Sequence, residues 1–250
     1  GRRGTARNDT NRGRNDKRCG KAQASLSPEA MELHTRTMSD STERLSRLYL
    51  AELMASKLCH DLVGPVGATA NGAELLADMT MEDEALALTA ASATQAARIL
   101  QYYRLALRAS GGQRNDLDEL RRVSGGLLEL RGLEVDWALD GSEQAPVGTT
   151  KLLANLVGLA GEALPRSGAV TGGLRLEGEK SVVFAKAKGP SAQLRREALE
   201  ALDPDGNEEV TPRSVQAYYA AMLARELGGS LRAEGRSEEV TLVTEIPLSG

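Results

Sequence analysis

Between Leu48 and Leu76 the apolar and small positions Leu48, Ala55, Cys59, Leu62, Val66, Thr69, Ala73 and Leu76 fall at helical spacing, on one face of an α-helix. A first helix is therefore predicted from Thr42 to about Asp78. Asp40, Ser41 and Thr42 offer N-caps, and Glu43 sits favourably at the positive end of the helix dipole. After a short turn over residues 79–83, a second helix is predicted from about Glu82 to Ala109. It carries no charge between Glu84 and Arg98 and is apolar or small nearly all round. One partner helix does not cover such a surface. The simplest solution is a homodimer in which two hairpins make a four-helix bundle. The alternative is a monomer in which the downstream domain supplies the cover.

Beyond Ser110 the pattern changes. Ser110-Gly111-Gly112-Gln113-Arg114-Asn115 reads as a linker, and helix then alternates with strand. Asp116 and Glu119 resemble a capping box opening a helix to about Arg131. Leu133–Leu139 reads as a strand, and Thr149–Leu164 as a helix ended by Pro165. Gly173–Glu177 and Ser181–Lys186 read as a hairpin. Helices are predicted over Ala192–Leu202 and Pro212–Leu227, the latter stopped by Gly228-Gly229, and Glu239–Ile246 alternates as a closing strand. The fold class expected is α+β: a helical hairpin over 41–110, then an α/β sandwich over 114–250 with helices on one face of a mixed sheet.

Composition adjusts this outline in three places. Residues 1–40 are expected to be unstructured. Residues 1–21 hold eight Lys or Arg against Asp9 and Asp16, with almost no apolar residues, so they cannot bury a core. Such a tail suits nucleic acid or an acidic partner, but its composition favours a plain extension, and Met38-Ser39-Asp40 would make a natural beginning. The net charge of −4 is too mild to point to nucleic acid. Cys19 and Cys59 are too far apart in sequence and setting to suggest a disulfide, which makes a reducing cytoplasmic compartment the default. No apolar run approaches a membrane span, and no signal-peptide core opens the chain.

The first helix carries an anomaly. Gly64, Pro65, Gly67 and Gly72 interrupt it, and an interior Pro costs roughly 3 kcal/mol and each Gly about 1. A helix so loaded ends there or is held by tertiary packing. His60, the only histidine beyond residue 40, lies five residues before the proline. Its helical face holds Leu53, Ser56, Lys57, Gly64, Gly67 and Asn71, small or polar apart from Leu53, so His60 is expected to be exposed. A metal site lacks ligands, since no second His or Cys stands at ligand spacing. A Ser/His/Asp triad lacks a G-x-S-x-G motif. A nucleophilic imidazole remains: titrating near neutrality, it can attack a phosphoryl centre. Asp61 is a candidate to accept or orient its ring proton, although adjacent helical side chains diverge by about 100°.

His60-Asp61-Leu62-Val63-Gly64-Pro65 resembles the phosphoacceptor box of two-component histidine kinases, a His and an acidic residue with Pro at His plus five. The longer run Leu58–Ala68 resembles, more narrowly, the ChpT-type histidine phosphotransferases of alphaproteobacteria, over residues 43–248. In the kinases the second domain binds ATP. Asn155-Leu156-Val157-Gly158-Leu159-Ala160 is similar to their first nucleotide motif, yet Leu159 stands where an Asn would hold Mg²⁺. Ala187-Lys188-Gly189-Pro190-Ser191 is similar to the D-x-G-x-G motif, with Ala187 for the adenine-binding Asp and Ser191 for the second Gly. Ser214-Val215-Gln216-Ala217 falls at the phosphate loop and has no glycine. The resemblance thus implies a degenerate ATP-binding domain and no nucleotide cofactor.

It also implies a phosphorelay through phospho-His60. The donor would be a CckA-type hybrid kinase receiver and the acceptors CtrA-type and CpdR-type receivers, with Mg²⁺ belonging to the receiver and neither nucleic acid nor membrane as partner. Lys57 is a candidate to steady the phosphoryl group or meet the receiver, with a solvated surface lysine as the equal alternative. Ser56, Gly64 and Gly67 would form a flat landing surface, and Arg175 on the hairpin is a candidate to meet acidic receiver groups, against the safer reading of a plain surface arginine. An active histidine kinase and a non-catalytic receiver-binding module stay open as alternatives.

Overall fold

The computed structural model describes residues 28–77, 82–108, 116–140, 144–206 and 209–248, with side chains from Arg47 onward. The basic tail up to residue 27, the turn at 78–81 and the linker at 109–115 lie outside the described residues.

The first helix, α1, runs Pro28–Ala77, so it begins inside the stretch expected to be unstructured. Pro28 is suited to open it, because the first turn needs no N–H from that position. The helix continues through Pro65. The second helix, α2, spans Glu82–Ala106. It meets α1 closely at Gly72, where an added Cβ would come within 3.2 Å of the Ala85 carbonyl oxygen and would strike Thr89.

The remaining elements are α3 (Leu117–Glu129), β1 (Glu134–Leu139), α4 (Thr149–Glu162), β2 (Ala169–Glu177), β3 (Lys180–Lys188), α5 (Arg196–Glu200), α6 (Val215–Glu226), β4 (Arg232–Arg236) and β5 (Glu239–Pro247). The sheet order is β1-β2-β3-β5-β4. β1 pairs with β2 in parallel, and every other pairing is antiparallel. As expected for α3, Asp116 caps it, with Oδ1 accepting from the Glu119 N–H at 2.8 Å.

Besides α1, other elements depart from the expected outline. β2 begins at Ala169 rather than Gly173. α5 is shorter than expected, because Ser191 takes a left-handed conformation (φ 59°) and Arg195 is still extended just before the helix. α6 starts at Val215 rather than Pro212, after a turn in which the Ser214 N–H bonds to the Thr211 carbonyl at 3.0 Å. β4 was not foreseen. Its sequence Arg-Ala-Glu-Gly-Arg has no apolar alternation, since it is a mostly exposed edge strand held by its ladder to β5.

α4 organises the core. It is buried from Thr149 through Gly161 and packs on the inward face of β2, β3 and β5, where Val170, Leu174, Val183, Ala185, Leu242 and Ile246 lie. α2, α3 and α6 pack around its other sides. Within residues 47–250, one compact unit, α1 joins this layer through Leu58 and Leu62, and through Leu53 and Met54 against Val215 of α6. A polar clamp adds to the apolar contacts: Asn155 of α4, fully buried, donates through Nδ2 to the Ala106 carbonyl at the end of α2, at 2.9 Å. Among the described residues no helix is long and apolar enough to cross a membrane.

Candidate active site

α1 presents His60 to solvent, with its side chain 84% exposed. Ser56, Gly64 and Gly67 are exposed beside it, and an added Cβ at either glycine would meet nothing within 4 Å. Leu53 and Lys57, on the adjoining edge of the helix, are buried instead. This division follows from the helix's docking on α6 and α4.

Asp61 is the junction of the site. Its Oδ1 lies 3.2 Å from His60 Nδ1, so the neighbour contact that helical geometry disfavours is made within one chain. Its Oδ2 accepts from the Tyr103 hydroxyl of α2 at 2.5 Å and lies 3.4 Å from Lys57 Nζ. Lys57 Nζ in turn donates to Glu162 Oε1 of α4 at 2.9 Å. Four residues later in α1, Pro65 has no N–H to give the Asp61 carbonyl, while the Thr69 hydroxyl donates to the Pro65 carbonyl at 2.8 Å.

Burial pushes the Asp61 carboxyl toward protonation. The Tyr103 hydroxyl, the Lys57 ammonium and His60 outweigh it and hold the group below its ordinary value. Burial, reinforced by the Asp61 charge, pushes the Tyr103 phenol well up, so at neutral pH Tyr103 is a proton donor to an ionised Asp61. A neutral His60 whose Nδ1–H points at Asp61 leaves the Nε2 lone pair outward. The ring is thus held on one side by Asp61 and open to solvent on the other.

Tyr103 stands edge-on to Tyr102, with ring centroids 5.5 Å apart. The Tyr102 hydroxyl accepts from Gln216 Nε2 of α6 at 2.5 Å and donates to the Ala154 carbonyl at 3.3 Å. On the other side, a cleft of about 1100 Å³ separates His60 and Ser56 from the C-terminal layer, and Arg131, Arg195 and Arg213 line it with Glu197. All three arginines are exposed, and none makes an ion pair among the described residues.

The site residues expected from the sequence therefore divide. His60, Asp61, Ser56, Gly64 and Gly67 share one open flank. Lys57 is adjacent but turned inward between two carboxylates. Arg175 is elsewhere. It alternates with Leu174 on β2, so it leaves the sheet on the face away from α4, where it pairs with Glu177 at 2.6 Å and lies over Phe184.

Tyr103 and Glu162 were not foreseen. Folding the hairpin back about a turn near residue 81 brings Asp61 level with about residue 101, so Tyr103 was within reach of that argument. Glu162 gives no comparable signal, because its contact spans the chain.

Comparison with known proteins gives these features a family. The family model described as "Histidine phosphotransferase C-terminal domain" matches residues 117–239. The protein phosphotransferase ChpT of Brucella abortus (strain 2308) is 32% identical over 207 residues, covering 80% of this chain and 97% of that protein. The chain belongs to the histidine phosphotransferase family. A 1.7 Å structure of a bacterial phosphotransferase superposes with a TM-score of 0.68 at 28% identity, covering 79% of this chain and 96% of that chain. The catalytic domain of the histidine kinase ThkA is a more distant likeness, with a TM-score of 0.41 and 23% identity over 52% of this chain and 93% of that chain. This chain is thus a phosphotransferase of the α+β class expected.

The depressed Asp61 titration has a thermodynamic consequence for the phosphotransferase. A carboxyl whose folded value is lowered stabilises the fold above its ordinary value of 3.8, and that contribution is lost as pH falls through the lowered folded value. In urea unfolding, wild type is expected to exceed Asp61→Asn at pH 7, with the difference shrinking as pH falls below the ordinary carboxylate range. A difference independent of pH would contradict the network around Asp61.

Proposed function

We propose that His60 is the phosphorylated residue, and that it carries a phosphoryl group between aspartates of partner receiver domains without ATP. The observation that carries this reading is the pairing of an exposed His60 ring with a Nδ1 already held by Asp61. In the transfer, the Nε2 lone pair attacks phosphorus. The N–P bond forms as the P–O bond to the donor carboxylate breaks, and the electron pair leaves on that carboxylate. The Nδ1 proton stays in place, and Asp61 offsets the positive charge the ring acquires. Positioning and charge neutralisation supply most of the catalysis in such a step. Mg²⁺ belongs to the receiver.

Four substitutions support a lost ATP site. Leu159 and Ala187 are buried core residues at places where the kinase resemblance expects a metal ligand and an adenine acceptor. Ser191 stands for a motif glycine and is held at φ 59°. The stretch Ser214–Ala217, expected at a phosphate loop, opens α6 and is buried, with Val215 against α1 and Gln216 against Tyr102.

By the family resemblance the partners are a CckA-type hybrid kinase as donor and CtrA-type and CpdR-type receivers as acceptors, acting in the cytoplasm. Ser56, Gly64 and Gly67 form the docking surface, and the unpaired arginines of the cleft suit an acidic partner. Lys57 serves the site from within rather than by meeting the receiver. Arg175 faces away and would need a second contact.

A homodimer follows from the apolar surface left open. Leu48, Val63 and Val66 of α1 and Leu86 and Leu100 of α2 are 50–70% exposed. Ala55, Cys59, Ala73, Ala90, Ala93 and Ala97 are exposed with them, in the pattern of a bundle seam. Light scattering should give twice the chain mass for wild type and the single chain mass for Leu100→Glu. A monomeric wild type would contradict the seam.

The phosphorylation reading is tested by incubation with an aspartyl-phosphorylated receiver or with ATP. The expected result is acid-labile, base-stable phosphate from the receiver alone, absent in His60→Ala. Label taken from ATP would restore the kinase reading. Equal label on His60→Ala would discard His60, and an unlabelled wild type would leave a binding module.

A further inference from the structure

Lys57 is 9% exposed and sits at the wall of the cleft beside Asp61 and Glu162. A buried charge persists only where partners hold it. Its partners come from both halves of the chain: Asp61 one turn along α1, and Glu162 at the last position of α4. The two contacts differ in length. Lys57 Nζ lies 2.9 Å from Glu162 and 3.4 Å from Asp61. Glu162 therefore sets where the ammonium sits.

We infer that Glu162 is a positioning residue for phosphotransfer at His60, acting through Lys57 and Asp61. This rests on His60 as the phosphorylated residue. Asp61 has two oxygens and three donors to serve. Tyr103 and Lys57 share Oδ2, which leaves Oδ1 for His60 Nδ1. With Glu162 holding the ammonium, Lys57 neutralises Asp61 from one side without claiming Oδ1. Once Glu162 is neutral, the ammonium is free to close on the carboxylate and compete with the imidazole. α4 is buried along its length and backed by the sheet, so it is a rigid support for such a role. The C-terminal layer thus acts on the nucleophile without touching it.

The test compares wild type and Glu162→Gln in transfer from an aspartyl-phosphorylated receiver domain, with donor varied to saturation. Misplacement of a reacting group lowers the chemical rate. Glu162→Gln is expected to lower the saturated rate by about tenfold or more, with donor half-saturation unchanged and a cooperative thermal melt retained. Glu162→Asp, which keeps the charge but withdraws it, should fall between. The reversal Lys57→Glu with Glu162→Lys separates positioning from a plain bridge. It rebuilds the pair between α1 and α4 but sets a carboxylate beside Asp61, so the saturated rate stays low.

A wild-type rate in Glu162→Gln, a loss confined to half-saturation, or recovery of the rate in the reversed pair would overturn the inference. An unlabelled wild type would instead defeat the reading of His60. The Glu162 inference is then judged by the ¹⁵N spectrum of the His60 ring, whose Nδ1–H population should fall in Glu162→Gln; an unchanged ring would overturn it.

Discussion

The site depends on one constraint: a half-buried carboxylate, that of Asp61, has to stay ionised and point at its neighbour. A helix alone does not arrange this, since consecutive side chains leave the axis in different directions. The carboxylate is held by a phenol from α2 and an ammonium from α1, and that ammonium is itself held by a carboxylate from α4. Remove any one of these and a buried polar group loses its partner, which costs more than the pair contributes when intact. The docking of α1 on α4 and α6, and the closeness of α1 to α2 at Gly72, are what bring the three elements within hydrogen-bond range.

The same docking occupies stretches of the C-terminal layer that the resemblance matches to nucleotide motifs. Gln216 and Val215 begin α6 where the resemblance expects a glycine loop, and both face the hairpin: Gln216 reaches Tyr102, and Val215 packs on Leu53 and Met54. Asn155 likewise spends its amide on the end of α2. These side chains hold the hairpin against the C-terminal layer. Seen this way, the second half of the chain is a platform for α1.

Much of this was legible in the sequence because periodicity reports burial. The helix read over Thr149–Leu164 and the alternating strand read over Glu239–Ile246 both lie where the structure has α4 and β5. The breakers around His60 marked a helix that either ends there or is held by packing, and the structure continues it through Pro65. What escaped was set by tertiary context. β4 is an edge strand whose ladder, not its side chains, defines it. Lys57 shares a helical face with His60, and only the position of α4 turns it inward. Arg175 was placed on the right strand, but which face of a strand meets the helices depends on register. The start of α1 at Pro28 was hidden by a polar composition that resembles a tail.

The central claim is that Asp61 keeps the Nδ1 proton of His60, so that Nε2 receives the phosphoryl group. The most direct measurement is NMR of the ¹⁵N-histidine-labelled protein after phosphorylation by a receiver donor, reading which ring nitrogen couples to ³¹P. The account predicts phosphorus on Nε2 of His60, with Nδ1 still protonated. Phosphorus on Nδ1 would contradict it.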